Sequence, residues 1–159
     1  TLHEMFGLTL SPGLTDYLSG RAATRDIVRP TDNDKLTVIP CGIRQRRSPE
    51  LLTSPRLASL VEELKEAYDV VIFDTPPLAA GIDGYSIAAA AGRLLLVLRV
   101  GETERRMAAA KMRMFERLPV EIVGAVLNGI DFQGEYEYYG YVGGYEAQDE
   151  PGTTVASIP

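Results

Sequence analysis

Residues 70–77 read Val-Val-Ile-Phe-Asp-Thr-Pro-Pro, four apolar residues followed by an acid, a threonine and two prolines. A continuous apolar run with β-branched and aromatic members is typical of a strand that is buried on both faces of a parallel sheet. Prolines cannot donate hydrogen bonds to a neighbouring strand, so this run predicts a strand over 69–74 that ends before Pro76. This feature restricts the chain to folds that contain a buried sheet.

Asp74 is the first polar residue after the apolar run. Ligands of open parallel sheets bind just outside the carboxyl ends of the strands, which is where this carboxylate is expected. In phosphate-handling enzymes an acid at this point orders Mg²⁺, commonly through water, because Mg²⁺ keeps most of its hydration shell. The alternative interpretation is that Asp74 caps the turn that follows the strand.

Strand-like and helix-like patterns alternate through the rest of the chain. Further strands are predicted over 36–39, 93–100 and 121–127, and the strand over 93–100 is expected to be buried. Helices are predicted from Ser54-Pro55 through Tyr68, up to about Ala91, and over 104–118. Such alternation implies right-handed βαβ units, and therefore an α/β fold with a doubly wound, mostly parallel sheet.

Two of the predicted helices have an apolar stripe at helical spacing, which predicts the face that each one buries. In the first helix this face consists of Leu57, Leu60, Val61 and Leu64. In the last helix it consists of Met107, Met114 and Leu118, and Thr103 is the expected N-cap. Asp83 is expected to cap the helix that ends near Ala91.

Charge divides the 159-residue chain into two parts. Residues 131–159 contain six acids and no Lys or Arg, so the formal charge of −6 belongs to this segment and the remaining body is neutral. A neutral body and an acidic end argue against binding to nucleic acid, which requires a basic surface. One cysteine and one histidine exclude an internal disulfide and a Cys- or His-rich metal site.

Residues 134–145 have neither helical nor strand periodicity and are rich in tyrosine and glycine. We therefore predict a domain over 1–130 followed by a disordered, acidic, tyrosine-rich tail over 131–159. No apolar run reaches the roughly 18 residues that span a bilayer, and no secretory signal is visible. The expected location is the cytoplasm.

Several segments together resemble the cytoplasmic kinase domain of bacterial tyrosine kinases, which control capsule and exopolysaccharide assembly. They are Ser11-Pro-Gly-Leu with the following Thr-Asp-Tyr-Leu-Ser-Gly20, Val38–Gly42, Ser48-Pro-Glu-Leu-Leu52, Tyr68–Pro77 with Asp83, and Gly124–Asn128. The Asp-Thr-Pro-Pro motif is shared with relatives of the partition and septum-site ATPases, whereas the other segments and the terminal tyrosines are more specific. The resemblance implies a P-loop ATPase fold.

This resemblance also implies roles for individual residues. Asp74 would be the Walker B acid that orders Mg²⁺ on ATP, and Asn128 would contact the nucleotide base, unless it merely terminates its strand. The phosphate acceptors would be Tyr136, Tyr138, Tyr139, Tyr141 and Tyr145. Alternatively, these tyrosines form the aromatic face of an edge strand or a low-complexity end.

The family resemblance implies partners as well. Tail tyrosines would be phosphorylated by a neighbouring copy in a ring, and each phosphate would add about −1.5 to −2 charge, which should release the tail. A membrane-spanning chain-length determinant domain, on the same polypeptide or on a partner, would hold the kinase at the inner face of the bacterial plasma membrane. A tyrosine phosphatase would reverse the reaction.

The sequence departs from the family in one important way, since no G-x-x-x-x-G-K-[ST] phosphate loop occurs in it. The resemblance begins just past that motif. We therefore expect a fragment that lacks the amino-terminal strands and is inactive alone. Two alternatives remain, a partition ATPase without kinase activity and a non-catalytic regulatory module of polysaccharide export.

Overall fold

A computed structural model describes residues 2–43 and 48–130. The basic segment 44–47 and the tail 131–159 lie outside the described residues, and so do the predictions made for them. Seven helices and four strands follow one another in the described part of the chain. They are α1 Leu2–Met5, α2 Leu14–Leu18, α3 Thr24–Ile27, β1 Arg29–Pro30, β2 Thr37–Val38, α4 Ser48–Leu52, α5 Pro55–Ala67, α6 Asp83–Ala91, β3 Arg93–Arg99, α7 Arg105–Phe115 and β4 Glu121–Asn128.

Strands β3 and β4 form a parallel pair, with α7 as the crossover between them. Their register runs from Arg93 opposite Glu121 to Arg99 opposite Asn128, with an irregularity between Leu94 and Leu95. The parallel arrangement predicted from alternating strands and helices is therefore confirmed. At the amino ends of the two strands an ion pair joins the Arg93 Nε to the Glu121 Oε2 at 3.1 Å.

The second pairing is a short antiparallel hairpin of β1 and β2, with Arg29 opposite Val38 and Pro30 opposite Thr37. The strand predicted over 36–39 is thus present but shorter. Its partner was not predicted, because residues 21–35 are polar and lack any strand periodicity.

Helix α5 buries the face that the sequence predicts, since Leu57, Leu60, Val61 and Leu64 are each at most 5% exposed. These four residues pack with Tyr17, Leu18, Ile27 and Ile87 in the larger of the two core clusters found in the described residues. Arg56 ties α5 to α2, because its Nε donates to the Tyr17 carbonyl at 3.0 Å and its guanidinium lies over the Tyr17 ring. The smaller cluster joins Tyr85 and Ala88 to Phe115.

The strand predicted over 69–74 is wrong as a paired strand, since residues 70–77 belong to no strand of the described chain. Exposure nevertheless alternates along it: Val71 and Phe73 pack against the larger core cluster, while Val70 and Ile72 are exposed. The segment has one packed face and no strand partner among the described residues. The hydrophobicity of this segment indicated a buried strand, but a sheet also requires a neighbouring strand to pair with.

The prediction that residues 93–100 are a buried strand is also wrong. Side chains of β3 alternate between half-buried and exposed, and Leu95 and Val97 face solvent. On β4, Val126 and Leu127 are exposed as well. Within the described part of the molecule, β3 is half-buried on one face only, and β4 is largely exposed on both faces.

The core face predicted for helix α7 is confirmed only in part. Leu118, just after the helix, packs against Tyr85 and its neighbours as predicted, together with Met112 and Phe115, but Met107 and Met114 are exposed. Glu104 rather than Thr103 is the N-cap, because the Thr103 hydroxyl accepts a hydrogen bond from the Arg99 amide at 2.8 Å. The prediction relied on the hydrophobicity of the methionines, but the larger Phe115 side chain determines which side of α7 is buried.

Candidate functional site

Asp74 lies in the loop that connects the core segment 70–73 to α6. It is exposed, and no hydrogen bond or ion pair engages its carboxylate in the described part of the chain. This loop is held against the first turn of α6: a Cβ on Gly84 would approach the Leu78 side chain to 2.9 Å and the Thr75 hydroxyl to 3.7 Å. A side chain at position 84 would displace the Leu78 side chain. The loop therefore presents Asp74 to solvent beside the amino end of a helix.

A small cavity of about 100 Å³ opens where this loop meets α6. Its lining consists of Pro76, Pro77, Ala80, Gly81, Asp83 and Gly84. Asp83 is the first residue of α6, and Ile82 is the N-cap, without a side-chain capping bond. The expectation that Asp83 caps the helix is therefore wrong. Its negative charge still lies at the positive end of the helix dipole.

Asn128 is the last residue of β4, opposite Arg99 at the carboxyl ends of the two parallel strands. The Asn128 Oδ1 accepts a hydrogen bond from the Gly129 amide at 2.9 Å, and its carbonyl accepts one from the Val100 amide, also at 2.9 Å. The side-chain amide orientation is thereby fixed, with the Nδ2 donor left to the outside. No hydrogen bond or ion pair joins Asn128 to Asp74 among the described residues.

Arg99 ends β3, and a tight turn follows it next to Asn128. The Arg99 Nη1 pairs with the Glu102 Oε2 at 3.2 Å, and the Arg99 carbonyl accepts hydrogen bonds from the Glu102 and Thr103 amides. Gly101 has a φ of 78°, a backbone conformation that glycine adopts without strain. The strand end is thus closed by a tight, well-bonded turn.

A buried polar cluster around Asp16 was missed from the sequence. The Asp16 carboxylate accepts hydrogen bonds from the Gly13 amide at 3.0 Å, the Ser11 hydroxyl at 3.0 Å and the Arg21 Nη2 at 2.8 Å. The Arg21 hydrogen bond, helped by the Gly13 and Ser11 donors and opposed by burial, lowers the pKa of this carboxyl. An acid three residues after Gly13 is a capping-box pattern that could have predicted this bond.

The Asp16 cluster fixes the loop before the basic segment. Gly13 and Gly42 touch so closely that a Cβ on Gly13 would overlap the Gly42 amide and the Pro40 carbonyl. The Thr15 hydroxyl donates to the Ile43 carbonyl at 2.9 Å, and the Leu14 amide donates to the Pro40 carbonyl at 2.8 Å. Residues 40–43 are therefore bound to the first turn of α2.

A larger, open groove of about 450 Å³ lies elsewhere, between the α4–α5 connection and α6. Leu52, Pro55, Tyr85, Ala89 and Leu118 are among its lining residues, and no carboxylate faces it. Its lining is mostly apolar and contains no acidic or basic side chain. The groove is separate from the loop that carries Asp74.

The described residues contain no group of three or more His, Cys, Asp or Glu side chains that could hold a metal ion. A cation at Asp74 would therefore have at most one further protein ligand of these types and would otherwise be bound by water. No helix in the described ranges is both long enough and apolar enough to cross a membrane. All five tail tyrosines lie outside the described residues.

Comparison with known proteins adds to this geometry. The chain is 35% identical over 129 residues to the tyrosine-protein kinase ptk of Acinetobacter johnsonii, which covers 81% of the chain. It is 33% identical over 142 residues to the tyrosine-protein kinase YwqD of Bacillus subtilis, which covers 88%. The solved kinase domain of Escherichia coli tyrosine kinase ETK covers 84% of the chain with a TM-score of 0.79 and 30% identity. No family model matches the chain.

An α/β fold with parallel strands and this structural likeness define the class: the chain has a P-loop-NTPase-like fold. Within that class it belongs to the family of bacterial tyrosine kinases, as a homologue of their kinase domain. The chain spans 18% of the Acinetobacter relative, 60% of the Bacillus relative and 52% of the solved kinase-domain chain. The expected family and fold class are confirmed.

Proposed function

We propose that residues 1–130 of this chain form the carboxyl-terminal part of the kinase domain of an ATP-dependent protein-tyrosine autokinase. The autokinase would regulate the biosynthesis and export of a capsular polysaccharide or exopolysaccharide. The observation that carries the proposal is the exposed carboxylate of Asp74, which makes no hydrogen bond or ion pair among the described residues and lies in the loop that packs against Gly84 at the start of α6. Homology to tyrosine kinases over at least four-fifths of the chain supports it.

Asp74 would act as the acid that orders Mg²⁺. Its carboxylate fits this role because it is exposed and free of competing hydrogen bonds in the described chain, so it can accept hydrogen bonds from metal-bound water. A buried or ion-paired acid would have to break those contacts first. When bound, Mg²⁺ neutralises the charge that develops on the transferring phosphate.

Asn128 would recognise the nucleotide base. Because its Oδ1 already accepts the Gly129 amide, the Nδ2 donor and one remaining Oδ1 lone pair are free. A donor and an acceptor side by side match the N6 and N7 edge of adenine, the usual partner of an asparagine side chain. The bond to Gly129 also fits an asparagine that terminates the strand, so the proposed role rests on the free donor and acceptor.

The phosphate-binding loop would come from further sequence, on the same polypeptide or on a partner. No such motif occurs in these 159 residues. The open face and free edge of β3, together with the unpaired segment 70–74, provide the place where a parallel strand leading into that loop would pack. The solved ETK chain is nearly twice the length of the matching part, which supports such an addition.

The tail tyrosines Tyr136, Tyr138, Tyr139, Tyr141 and Tyr145 would accept the phosphate from a neighbouring copy. Residue 145 lies seventeen residues beyond Asn128, which allows a span of up to about 60 Å at ~3.3–3.6 Å per residue. That length is enough to reach an adjacent subunit in a ring. A membrane-spanning determinant and a tyrosine phosphatase would complete the system at the inner face of the plasma membrane.

The test uses the complete gene product, incubated with ATP and Mg²⁺ and probed with an anti-phosphotyrosine antibody. We expect a strong signal that is lost when the five tail tyrosines are changed to phenylalanine. We expect Asp74→Asn to reduce it at least about a hundredfold, the scale of one lost charge-stabilising group. Asp69→Asn is the matched control, because Asp69 is also an exposed acid of the same segment, and it should leave the signal intact.

ATP hydrolysis without any phosphotyrosine would contradict the proposal and favour the partition-type ATPase. Absence of both ATP binding and phosphotyrosine in the complete product would favour the non-catalytic regulatory module. Equal loss of signal in the Asp74 and Asp69 variants would show that Asp74 has no special role.

A further inference from the structure

Helix α7 carries an exposed row of arginines that none of the functions above uses. Arg106 and Arg113 are seven residues apart, so they lie on the same side of the helix, about 10 Å from each other. Arg117 follows in the turn after the helix. We call these three residues the arginine stripe. Because Phe115 and Met112 pack against the body on the other side, the stripe faces solvent.

The arginine stripe is not neutralised by the described body. None of its three guanidinium groups forms an ion pair or hydrogen bond with a described residue. By contrast, Arg93 and Arg99 in the neighbouring strand each pair with a glutamate. Met107 and Met114, about half exposed, lie beside the stripe on the same helix. This surface combines unpaired positive charge with flexible apolar side chains.

One segment of this chain has the complementary charge. Residues 131–159 carry six acids and no basic residue. They begin after Ile130, close to the first residue of α7. The Val100 amide donates to the Asn128 carbonyl, which joins the ends of β3 and β4. The Thr103 amide donates to the Arg99 carbonyl in the turn that leads from β3 into α7. Helix α7 is about 16 Å long, a distance that about five extended residues cover. The 29-residue tail can therefore follow the whole stripe.

We propose that the acidic tail docks on the arginine stripe of its own chain. The spacing also fits, since three extended residues span about 10 Å, the distance between Arg106 and Arg113. Glu146 and Asp149 are three residues apart, and so are Tyr138 and Tyr141. Tyrosine rings would pack on the exposed methionine side chains, whose sulfurs make favourable contacts with aromatic rings.

Phosphorylation should tighten this docking, a step that rests on the proposed kinase function. A phosphotyrosine brings about −1.5 to −2 charge, and arginine binds phosphate through paired hydrogen bonds. A phosphorylated tail that charge repulsion releases from the active site of a neighbouring copy would then have a second place to bind. The arginine stripe would hold it away from the contacts between neighbouring copies in the ring.

The test attaches a nitroxide spin label to the tail of the full 159-residue chain, in a Cys41→Ser, Ser157→Cys variant. Amide signals of α7 in the ¹⁵N-labelled protein are then recorded. We expect selective broadening of α7 signals. Arg106→Glu with Arg113→Glu should lower the docked fraction about tenfold, the effect of losing two exposed ion pairs. Arg25→Glu with Lys35→Glu, an equal charge change elsewhere on the surface, should leave the broadening unchanged.

A second set of variants leaves the folded body untouched. Glu146→Gln, Asp149→Asn and Glu150→Gln together should reduce the broadening like the arginine changes. Salt near 1 M should abolish it, because charges are then screened beyond about 3 Å. Persistence of the broadening in these variants would overturn the proposal. So would broadening that appears only in a mixture where label and ¹⁵N are on different chains.

A membrane surface is the competing partner for a basic helix with exposed methionines. If α7 signals show no tail-dependent broadening but shift with vesicles of phosphatidylglycerol, the stripe is a lipid site and the proposal fails. Docking of the unphosphorylated tail does not depend on kinase activity. A complete protein that never forms phosphotyrosine would therefore refute the proposed function while leaving the docking result valid.

Discussion

The amino-terminal helices and the β3–β4 sheet differ in how completely they cover their own apolar residues. Helix α5 turns Leu60 and Val61 into a core where they are 0% and 1% exposed. By contrast, Ile72 in the unpaired segment 70–73 is 85% exposed and Val97 in β3 is 60% exposed, although both have the hydrophobicity of core residues. Large exposed apolar patches mark surfaces that bind another part of a protein. Helices α2 and α5 therefore bury their apolar residues in a common core, whereas α1, the segment 70–73 and the sheet leave large apolar side chains exposed.

This contrast coincides with the division of roles that we propose. Asp74 and Asn128 both belong to the open side, at the ends of the segment 70–73 and of β4. The Asp16 cluster, the most highly bonded polar group that we describe, belongs to the closed side. Stability is concentrated in the helices, and the candidate nucleotide groups lie where the fold is open.

The strongest test of this contrast is whether residues 1–159, with the exposed sheet side and no phosphate loop, bind ATP on their own. A phosphate loop supplies charge-assisted hydrogen bonds worth about 1.5–3 kcal/mol each, so lacking three of them should weaken binding at least about 10³-fold. Isothermal titration of ATP and Mg²⁺ into residues 1–159 should therefore show no micromolar binding. A micromolar affinity would mean that the open side is already a complete site.

Core truncations on the two sides sharpen the comparison. Leu60→Ala should destabilise the chain by about 2–5 kcal/mol, because it leaves a cavity in the closed core. Leu95→Ala, the same change on the exposed sheet face, should stay within about 0.5 kcal/mol. Urea unfolding followed by circular dichroism measures both. Equal losses would show that the sheet face is packed in solution.

The Asp16 cluster predicts a smaller, pH-dependent effect. Asp16→Asn should cost about 1–3 kcal/mol at neutral pH, because a charged acceptor of three hydrogen bonds is lost. Its pKa is lowered in the folded state, so the unfolded chain binds the proton more readily and the stabilisation is fully present above about pH 4.

This contribution disappears as the pH falls through the lowered pKa of the folded state. The stability difference between the wild type and Asp16→Asn should therefore shrink below pH 4. Asp26→Asn, which removes an exposed acid with an analogous bond to the Ala23 amide, serves as the matched control. A difference that stays constant down to pH 2 would contradict the role of the charged form.

Sequence reasoning succeeded where local spacing alone decides the structure. The stripe of Leu57, Leu60, Val61 and Leu64 specified the buried face of α5, because 3.6-residue periodicity places these residues on one side. The parallel pairing of β3 with β4 followed from the intervening helix, because parallel strands need a crossover connection of about this length. Family and fold class followed from motifs spread over the chain.

It failed where the outcome depends on neighbours distant in sequence. The hydrophobicity of Val70 and Ile72 indicated burial, but no described strand pairs with their segment, and both side chains are exposed. For α7, Phe115 rather than Met114 determined the packed face, since its ring stacks 4.7 Å from that of Tyr85 across two elements. The roles of Asp74 and Asn128 stay predictions. Their exposure and bonding fit the proposed chemistry but do not test it.

The contact between Gly13 and Gly42 has a consequence for recognising divergent relatives. Any side chain at either position would push the two backbone segments apart, so both positions must remain glycine together or the loop must be rebuilt. A pair of glycines 29 residues apart, the first three residues before an aspartate, is therefore a compact signature of this junction. Relatives that keep the helical side should therefore retain both glycines, even where the sheet side has diverged.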